Sequence, residues 1–138
     1  MTPPRLSLSM RLRTWCAIGV ARLLSTMRPG RLEKSLRALS AGARPATREE
    51  ALRCYEAVVA TSARCAGRWC LQRSVAVSLL CRSGGSWPEW QSGACLMPFR
   101  AHAWVAVDGV PVGEDPALAD YFRPVISVHP RKAAVREV

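Results

Sequence analysis

Two kinds of residue in this 138-residue chain can supply nucleophilic chemistry, namely its six cysteines and two histidines. Cys70 differs from the other cysteines because it opens the apolar stretch CLQRSVAVSLLC, directly after a break near Gly67. A thiol in the first turn of a helix meets unpaired backbone amides and the positive end of the helix dipole, and both favour the thiolate. Cys70 is therefore the candidate nucleophile.

His102 is the candidate base for that thiol. It lies in the run AHAWVAV, whose pattern predicts a β-strand. An imidazole that faces a cysteine at a helix N-terminus is the arrangement of papain-like enzymes, in which the base takes the thiol proton and a third group orients the ring. The alternative role for His102 is that of a core histidine bonded to backbone groups.

A carboxylate after the next turn is the natural candidate for the third group. Asp108-Gly109 predicts a hairpin turn directly after the strand of His102. A two-residue loop would place Asp115 opposite His102, whereas a three-residue loop with a bulge would place Glu114 there. Both carboxylates stay open as candidates.

The elements that must position these residues follow from periodicity and turn signals. Helices are predicted over residues 5–27, 32–39, 47–63 and 70–81, and strands over 93–98, 101–107 and 110–113. Thr47 and Glu50 form a capping-box pattern at the start of the third helix. The first helix is basic and amphipathic, with Trp15, Ile18 and Leu23 among its apolar positions. Helices followed by a small antiparallel sheet predict an α+β fold.

Composition limits the classes of protein to consider. A hydrophobic content of 49% predicts a globular domain rather than a disordered chain. The net charge of +10 suits an anionic partner, but the basic residues are spread from Arg5 to Arg136 and form no nucleic-acid-binding block. The N-terminus is a poor match to a signal peptide, and no apolar run reaches the roughly 18–20 residues that span a bilayer. We expect a cytoplasmic protein with reduced cysteines that binds no nucleic acid and does not insert stably into a membrane.

The same residues offer little support for a metal or cofactor. The chain has no Cys-x-x-Cys pair, and Cys65 and Cys70 have no matching pair downstream, so a zinc site is not expected. Gly84-Gly85 lacks the Lys-Ser/Thr that follows in a phosphate-binding loop. We expect no cofactor.

Three blocks of the sequence resemble one known family. They are WCLQRS at 69–74, PFRAHAWV at 98–105, and the segment at 108–114, which contains the DG turn and a later VGE. Residues 50–128 are similar to the leader peptidase of lasso-peptide biosynthesis, the McjB C-terminal type of transglutaminase-like cysteine protease. The resemblance implies a transglutaminase/papain-like fold, with an N-terminal helical extension over 1–46, a protease core over 47–128 and a basic tail over 129–138.

The resemblance also implies roles and partners. Cys70 matches the family's nucleophile and His102 its base, while the third member, an aspartate in the family, aligns with Glu114 and has Asp115 beside it as a substitute. Such enzymes remove the leader from a ribosomally made precursor peptide. The implied partners are the leader region of that precursor, a separate leader-recognition protein and the lasso cyclase.

Two further functions remain open. The same dyad would act as a transglutaminase-like acyl transferase if an amine, rather than water, intercepted the thioester. A non-enzymatic adaptor would instead use the basic helix over 5–27 to bind nucleic acid or a membrane surface.

Overall fold

The computed structural model describes residues 7–62, 70–96, 99–113 and 122–130. The helices in these segments are α1 (Leu8–Ser25), α2 (Pro29–Ser40), α3 (Arg48–Thr61) and α4 (Cys70–Ser83). The strands are β1 (Arg44–Pro45), β2 (Ser86–Trp87), β3 (Glu89–Leu96), β4 (Phe99–Val107), β5 (Val110–Pro111) and β6 (Arg123–Val128). Helices precede an antiparallel sheet, so the predicted α+β class is confirmed.

Capping chemistry sets where two of the helices begin. The Ser7 hydroxyl accepts a hydrogen bond from the backbone N–H of Met10 at 3.2 Å. At α3 the predicted capping box is present: the N–H of Glu50 donates to the Thr47 hydroxyl, and the Glu50 carboxylate accepts from the N–H of Thr47, both at 3.1 Å. These bonds satisfy amides that the first turn of a helix leaves without partners.

The apolar face predicted for the first helix is only partly correct. Ile18 is buried, but Trp15 and Leu23 are 58% and 70% exposed. The buried face is formed instead by small residues, chiefly Ala17 and Ala21, which pack towards α4. Small side chains let two helix backbones approach closely, and the hydrophobic pattern alone does not reveal this. None of the helices in the described segments is long and apolar enough to cross a bilayer.

Helix α4 forms the centre of the molecule. Its residues from 72 to 78 are all buried, and it packs against α1, α3 and β4. A helix enclosed on all sides has no solvent face to mark with polar residues, which explains why its sequence lacks an amphipathic pattern. The helix ends at a turn in which Gly85 adopts a φ of +89°, a conformation that favours glycine.

The main sheet has the order β5-β4-β3-β6, and β3, β4, β5 and β6 pair in antiparallel fashion. Its β4–β5 connection is the predicted two-residue turn, with Asp108 and Gly109 at φ 53° and 78° and with Val107 opposite Val110. Positive φ at both central residues is the type I′ signature. The three-residue alternative is therefore wrong at this turn.

Strand β6 and the short parallel pair β1–β2 were not predicted from the sequence. The segment RPVISV of β6 contains Pro124, which signals against a strand, but among the described strands β6 lies at the edge of the sheet and pairs with β3 alone. Proline is tolerated in edge strands, where a backbone N–H on the outer side is not needed for the ladder. Pairing with β3 thus depends on tertiary structure that local propensity does not encode.

Candidate active site

Cys70 is the first residue of α4, and its side chain is half-buried. Its sulfur is in hydrogen-bonding contact with the imidazole of His102 and with the backbone N–H of Ala103. The helix supplies the thiol and β4 supplies both partners, so the contact joins the two layers of the fold. The structure therefore brings together the two residues that the sequence indicated as nucleophile and base.

The imidazole of His102 packs in a cluster with two aromatic rings, whose own centroids are 6.4 Å apart. Its centroid is 5.9 Å from that of Trp104, with an interplanar angle of 19°, and 5.4 Å from that of Phe122. Trp104 is held in turn by its indole N–H, which donates to the Gln91 side-chain oxygen at 2.8 Å. Contacts with both rings of this cluster restrict the rotation of the imidazole.

Gly93 makes room for this arrangement. It lies directly opposite His102 in the β3–β4 ladder, and the pairing of β3 with β6 shifts register between Ser92 and Gly93. A Cβ at position 93 would lie 2.5 Å from the carbonyl oxygen of Arg123 and 2.8 Å from the Trp104 ring. Glycine is required here because the two neighbours occupy the space that a side chain would need.

The thiol of Cys70 is more acidic than an ordinary cysteine. Burial by itself raises the pKa of Cys70, but the hydrogen bonds from His102 and from the Ala103 amide lower it, as do the positive charges of His102 and Arg73. The lowering effects together exceed the effect of burial, so the net pKa lies below the usual thiol value. A larger fraction of thiolate at neutral pH makes Cys70 a better nucleophile.

The buried Arg73, whose charge helps to lower the pKa of Cys70, packs against an aromatic ring. Arg73, one helical turn after Cys70, is only 8% exposed, and its guanidinium carbon lies 5.9 Å from the centre of the Tyr55 ring. The same ring abuts Gly113, where a Cβ would come within 2.6 Å of it and where φ is +75°. The close approach of backbone to ring fixes the chain that leads out of the hairpin.

The other predicted members of the site, Glu114 and Asp115, lie outside the described residues. Phe122, Gln91 and Gly93 were missed by the sequence reasoning. No local sequence pattern indicates Phe122, because its contact with His102 arises only when β6 packs beside β3. Gly93 opens the predicted strand 93–98 but lies inside the observed β3, where a glycine indicates close backbone approach. Within the described segments, no group of three or more His, Cys, Asp or Glu side chains is arranged to hold a metal ion.

Comparison with known proteins is consistent with this geometry. The profile described as the Transglutaminase-like superfamily matches residues 14–127, which is most of the chain. No significant match was found among curated proteins or among solved structures. Members of the superfamily are typically cysteine-dependent enzymes and include proteases and acyl transferases. The chain therefore belongs to the transglutaminase-like superfamily.

Proposed function

We propose that this protein is a cytoplasmic cysteine peptidase that removes the leader from a ribosomally made lasso-peptide precursor. The observation that carries the proposal is the contact between a helix-start thiol, Cys70, and a strand imidazole, His102, with the lowered pKa of the thiol. The choice of lasso-peptide leader as the substrate class rests on the resemblance of the blocks around these two residues to that family of peptidases.

The chemistry follows from the two groups. His102 accepts the Cys70 proton, and the thiolate attacks the carbonyl carbon of the last leader residue. The imidazolium then protonates the leaving amine, and the leader remains as a thioester on Cys70. His102 next takes a proton from water, the hydroxide attacks the thioester, and the released thiolate regenerates the starting pair.

The oxyanion needs hydrogen-bond donors at the start of α4. Backbone N–H groups in the first turn of a helix have no helical acceptor, so we assign the N–H of Cys70 as one donor. The positive end of the α4 dipole acts in the same direction. Gln72 and Arg73 are buried close by in the same turn, and we assign neither of them as the second donor.

We propose that either Glu114 or Asp115 orients His102. The two-residue turn at Asp108-Gly109 favours Asp115 on register, whereas the resemblance aligns Glu114 with the family's aspartate. The left-handed φ of Gly113 interrupts the extended backbone just before both residues, so the turn alone does not decide between them. The pair Glu114→Gln and Asp115→Asn tests this point. The substitution that neutralises the orienting residue should lower the kcat of the enzyme by about 100-fold or more, and the other variant should keep a kcat close to that of wild type.

The partners in this proposal are the precursor, a separate leader-recognition protein and the lasso cyclase. A net charge of +10 would help the chain to attract an acidic leader or an acidic carrier. Cleavage that slows with rising ionic strength would support that contribution. Cleavage that is independent of ionic strength would argue against it.

Mass spectrometry of the reaction products tests the proposed function. Folded, reduced wild type, Cys70→Ala and the control Cys16→Ala would each be mixed with the precursor encoded beside the protein and with its recognition protein. Cys16 is an exposed cysteine, so its loss controls for the removal of a thiol. We expect cleavage at one bond by wild type and Cys16→Ala only.

The products also separate the competing reactions. A leader that ends in a free carboxylic acid indicates hydrolysis. In a parallel reaction that contains a primary amine, a leader joined to that amine indicates acyl transfer. Absence of both products with wild type, or equal cleavage by Cys70→Ala, would refute the assignment of Cys70 as nucleophile in a leader peptidase.

A further inference from the structure

A second pair of thiols lies in the core, away from Cys70. Cys54 of α3 and Cys81 of α4 are both buried and reduced, and their side chains are in hydrogen-bonding contact. Cys81 follows Cys70 by three helical turns, about 16 Å along the axis of α4. The pair is therefore spatially separate from the thiol–imidazole site.

Both thiols line a cavity of about 610 Å³ between the start of α1, α3 and the end of α4. This volume is within the range of sites that take small molecules. The pair is therefore buried in the fold and at the same time accessible to a small reagent that enters the cavity.

The charges in the cavity wall favour the binding of an anionic small molecule. Arg13 and Arg53 both line it, and the Arg13 guanidinium is anchored by hydrogen bonds to the Ser83 hydroxyl at 2.7 and 2.9 Å. The carboxylate of Glu50 also lines the cavity, but it is paired with Arg44 at 2.6 Å. The local balance of charge is positive, because two guanidinium groups and one carboxylate line the cavity and that carboxylate is ion-paired with Arg44.

We propose that Cys54 and Cys81 form a redox-active dithiol, and that the cavity admits an anionic low-molecular-weight disulfide of the glutathione type to oxidise it. This inference does not depend on the peptidase proposal, since it uses other residues and another opening of the fold.

The exchange proceeds in two balanced steps. The Cys54 thiolate attacks one sulfur of glutathione disulfide, which forms a Cys54–glutathione bond and releases one glutathione thiolate. The Cys81 thiol then gives its proton to the first glutathione thiolate and attacks the Cys54 sulfur. This forms the Cys54–Cys81 disulfide and releases the second glutathione as a thiolate, which takes from solvent the proton that Cys54 had lost. The protein dithiol is oxidised by two electrons, and one glutathione disulfide is reduced to two thiols.

The electrostatics of the pair support this order of attack. The hydrogen bond from Cys81 lowers the pKa of Cys54 and outweighs the opposing effect of burial. The charge of Arg13 lowers that pKa further, the charge of Glu50 raises it, and the charge of Arg53 lowers it by a smaller amount. The pKa of Cys81 is raised by the same contact with Cys54 and by burial. Cys54 is thus the thiol that ionises first, and Cys81 is the one that resolves.

Peptide mapping tests the proposal directly, because trypsin places each of the six cysteines in a different peptide. Cys54 falls in peptide 54–64 and Cys81 in peptide 74–82, while Cys16 and Cys70 fall in 14–22 and 69–73. Native reduced protein would be treated with glutathione disulfide, quenched with acid and digested. We expect peptides 54–64 and 74–82 joined by a disulfide.

Single variants assign the two roles. Cys81→Ser should accumulate glutathione on peptide 54–64, and Cys54→Ser should leave peptide 74–82 as the free thiol. Circular dichroism would verify that both variants fold. In wild type, recovery of peptides 54–64 and 74–82 as free thiols, while 14–22 or 69–73 carries glutathione, would overturn the proposal. A stable glutathione adduct on Cys54 without the cross-link would overturn the resolving role of Cys81.

A charge variant tests which disulfide the cavity prefers. Arg53→Gln removes one positive charge from the cavity wall. This variant should react with glutathione disulfide about threefold more slowly than wild type, as expected for the loss of one screened Coulomb interaction. The neutral bis(2-hydroxyethyl) disulfide should be slowed less. Arg22→Gln serves as the control, because it removes an exposed charge of α1 that does not line the cavity. Equal slowing of both disulfides by Arg53→Gln would refute the preference for an anionic reagent.

Discussion

Replacing Gly93 by alanine tests how the sheet positions His102. The added Cβ would lie 2.5 Å from the Arg123 carbonyl oxygen and 2.8 Å from the Trp104 ring. The first neighbour is backbone in β6, so it cannot rotate away as a side-chain tip would. Either β6 must move away from β3, or the Trp104 ring must move relative to His102.

The cost of overpacking a core by one methyl group is typically about 1–3 kcal/mol, and contact with backbone places this substitution at about 2 kcal/mol or more. With an m value of about 1–3 kcal/mol/M, the urea midpoint should fall by on the order of 1 M. Equilibrium unfolding followed by tryptophan fluorescence measures this shift. The rate of Cys70 alkylation by iodoacetamide reports whether the site is also disturbed.

Gly19→Ala is the matched control for this substitution. Gly19 lies inside α1, and a Cβ there would meet nothing within 4 Å. Alanine should therefore stabilise the helix by about 0.5–1 kcal/mol, because glycine carries a higher entropic cost in a helix interior. If Gly93→Ala unfolded at the wild-type urea concentration, the close packing inferred at Gly93 would be refuted.

Two further predictions concern titratable groups. Because the pKa of Cys70 is below that of an ordinary thiol, alkylation of Cys70 in wild type should persist as the pH falls towards that lowered pKa. In His102→Ala, the alkylation rate should begin to fall at a higher pH. Identical pH–rate profiles of the two proteins would exclude the contact with His102 as the cause of the lowered pKa. The hydrogen bond from Arg44 lowers the pKa of Glu50 from 4.5 to about 2. The ionised Glu50 carboxylate therefore stabilises the fold fully at pH values above the pKa of the unfolded state, and this stabilisation is lost as the pH falls towards 2. Glu50→Gln should therefore cost about 1 kcal/mol in urea unfolding at pH 7 and much less near pH 2; an equal loss at both values would mean that the carboxylate charge is not responsible.

The sequence predicted those features whose cause is local. Thr47 and Glu50 specify the start of α3 through hydrogen bonds made within one turn, and Asp108-Gly109 specifies the hairpin because both residues tolerate positive φ. The candidate pair Cys70 and His102 was found for the same reason. A thiol at a helix start and a histidine in a strand are recognisable before the two elements meet.

Features that arise from packing were not predicted. The burial of α1 through Ala17 and Ala21 depends on how closely α4 approaches, so the larger Trp15 and Leu23 indicated the wrong face. Phe122 reaches His102 only after β6 has joined the edge of the sheet. These outcomes depend on residues far apart in the chain, and no local pattern records them.

The geometry of the site depends on how firmly α4 is tied to the sheet. The hydroxyl of Ser74, about one turn after Cys70, accepts a hydrogen bond from the indole N–H of Trp90 at 3.1 Å, and both side chains are buried. Trp90 lies in β3, the strand that pairs with the His102 strand over its whole length. Two anchored elements thus hold the thiol and the imidazole in contact without a direct covalent link. Ser74→Ala would leave the Trp90 donor buried without this acceptor, so we expect a cost of about 1–3 kcal/mol in urea unfolding and slower alkylation of Cys70. A destabilised variant that retains wild-type Cys70 reactivity would show that the bond supports the fold without positioning the thiol.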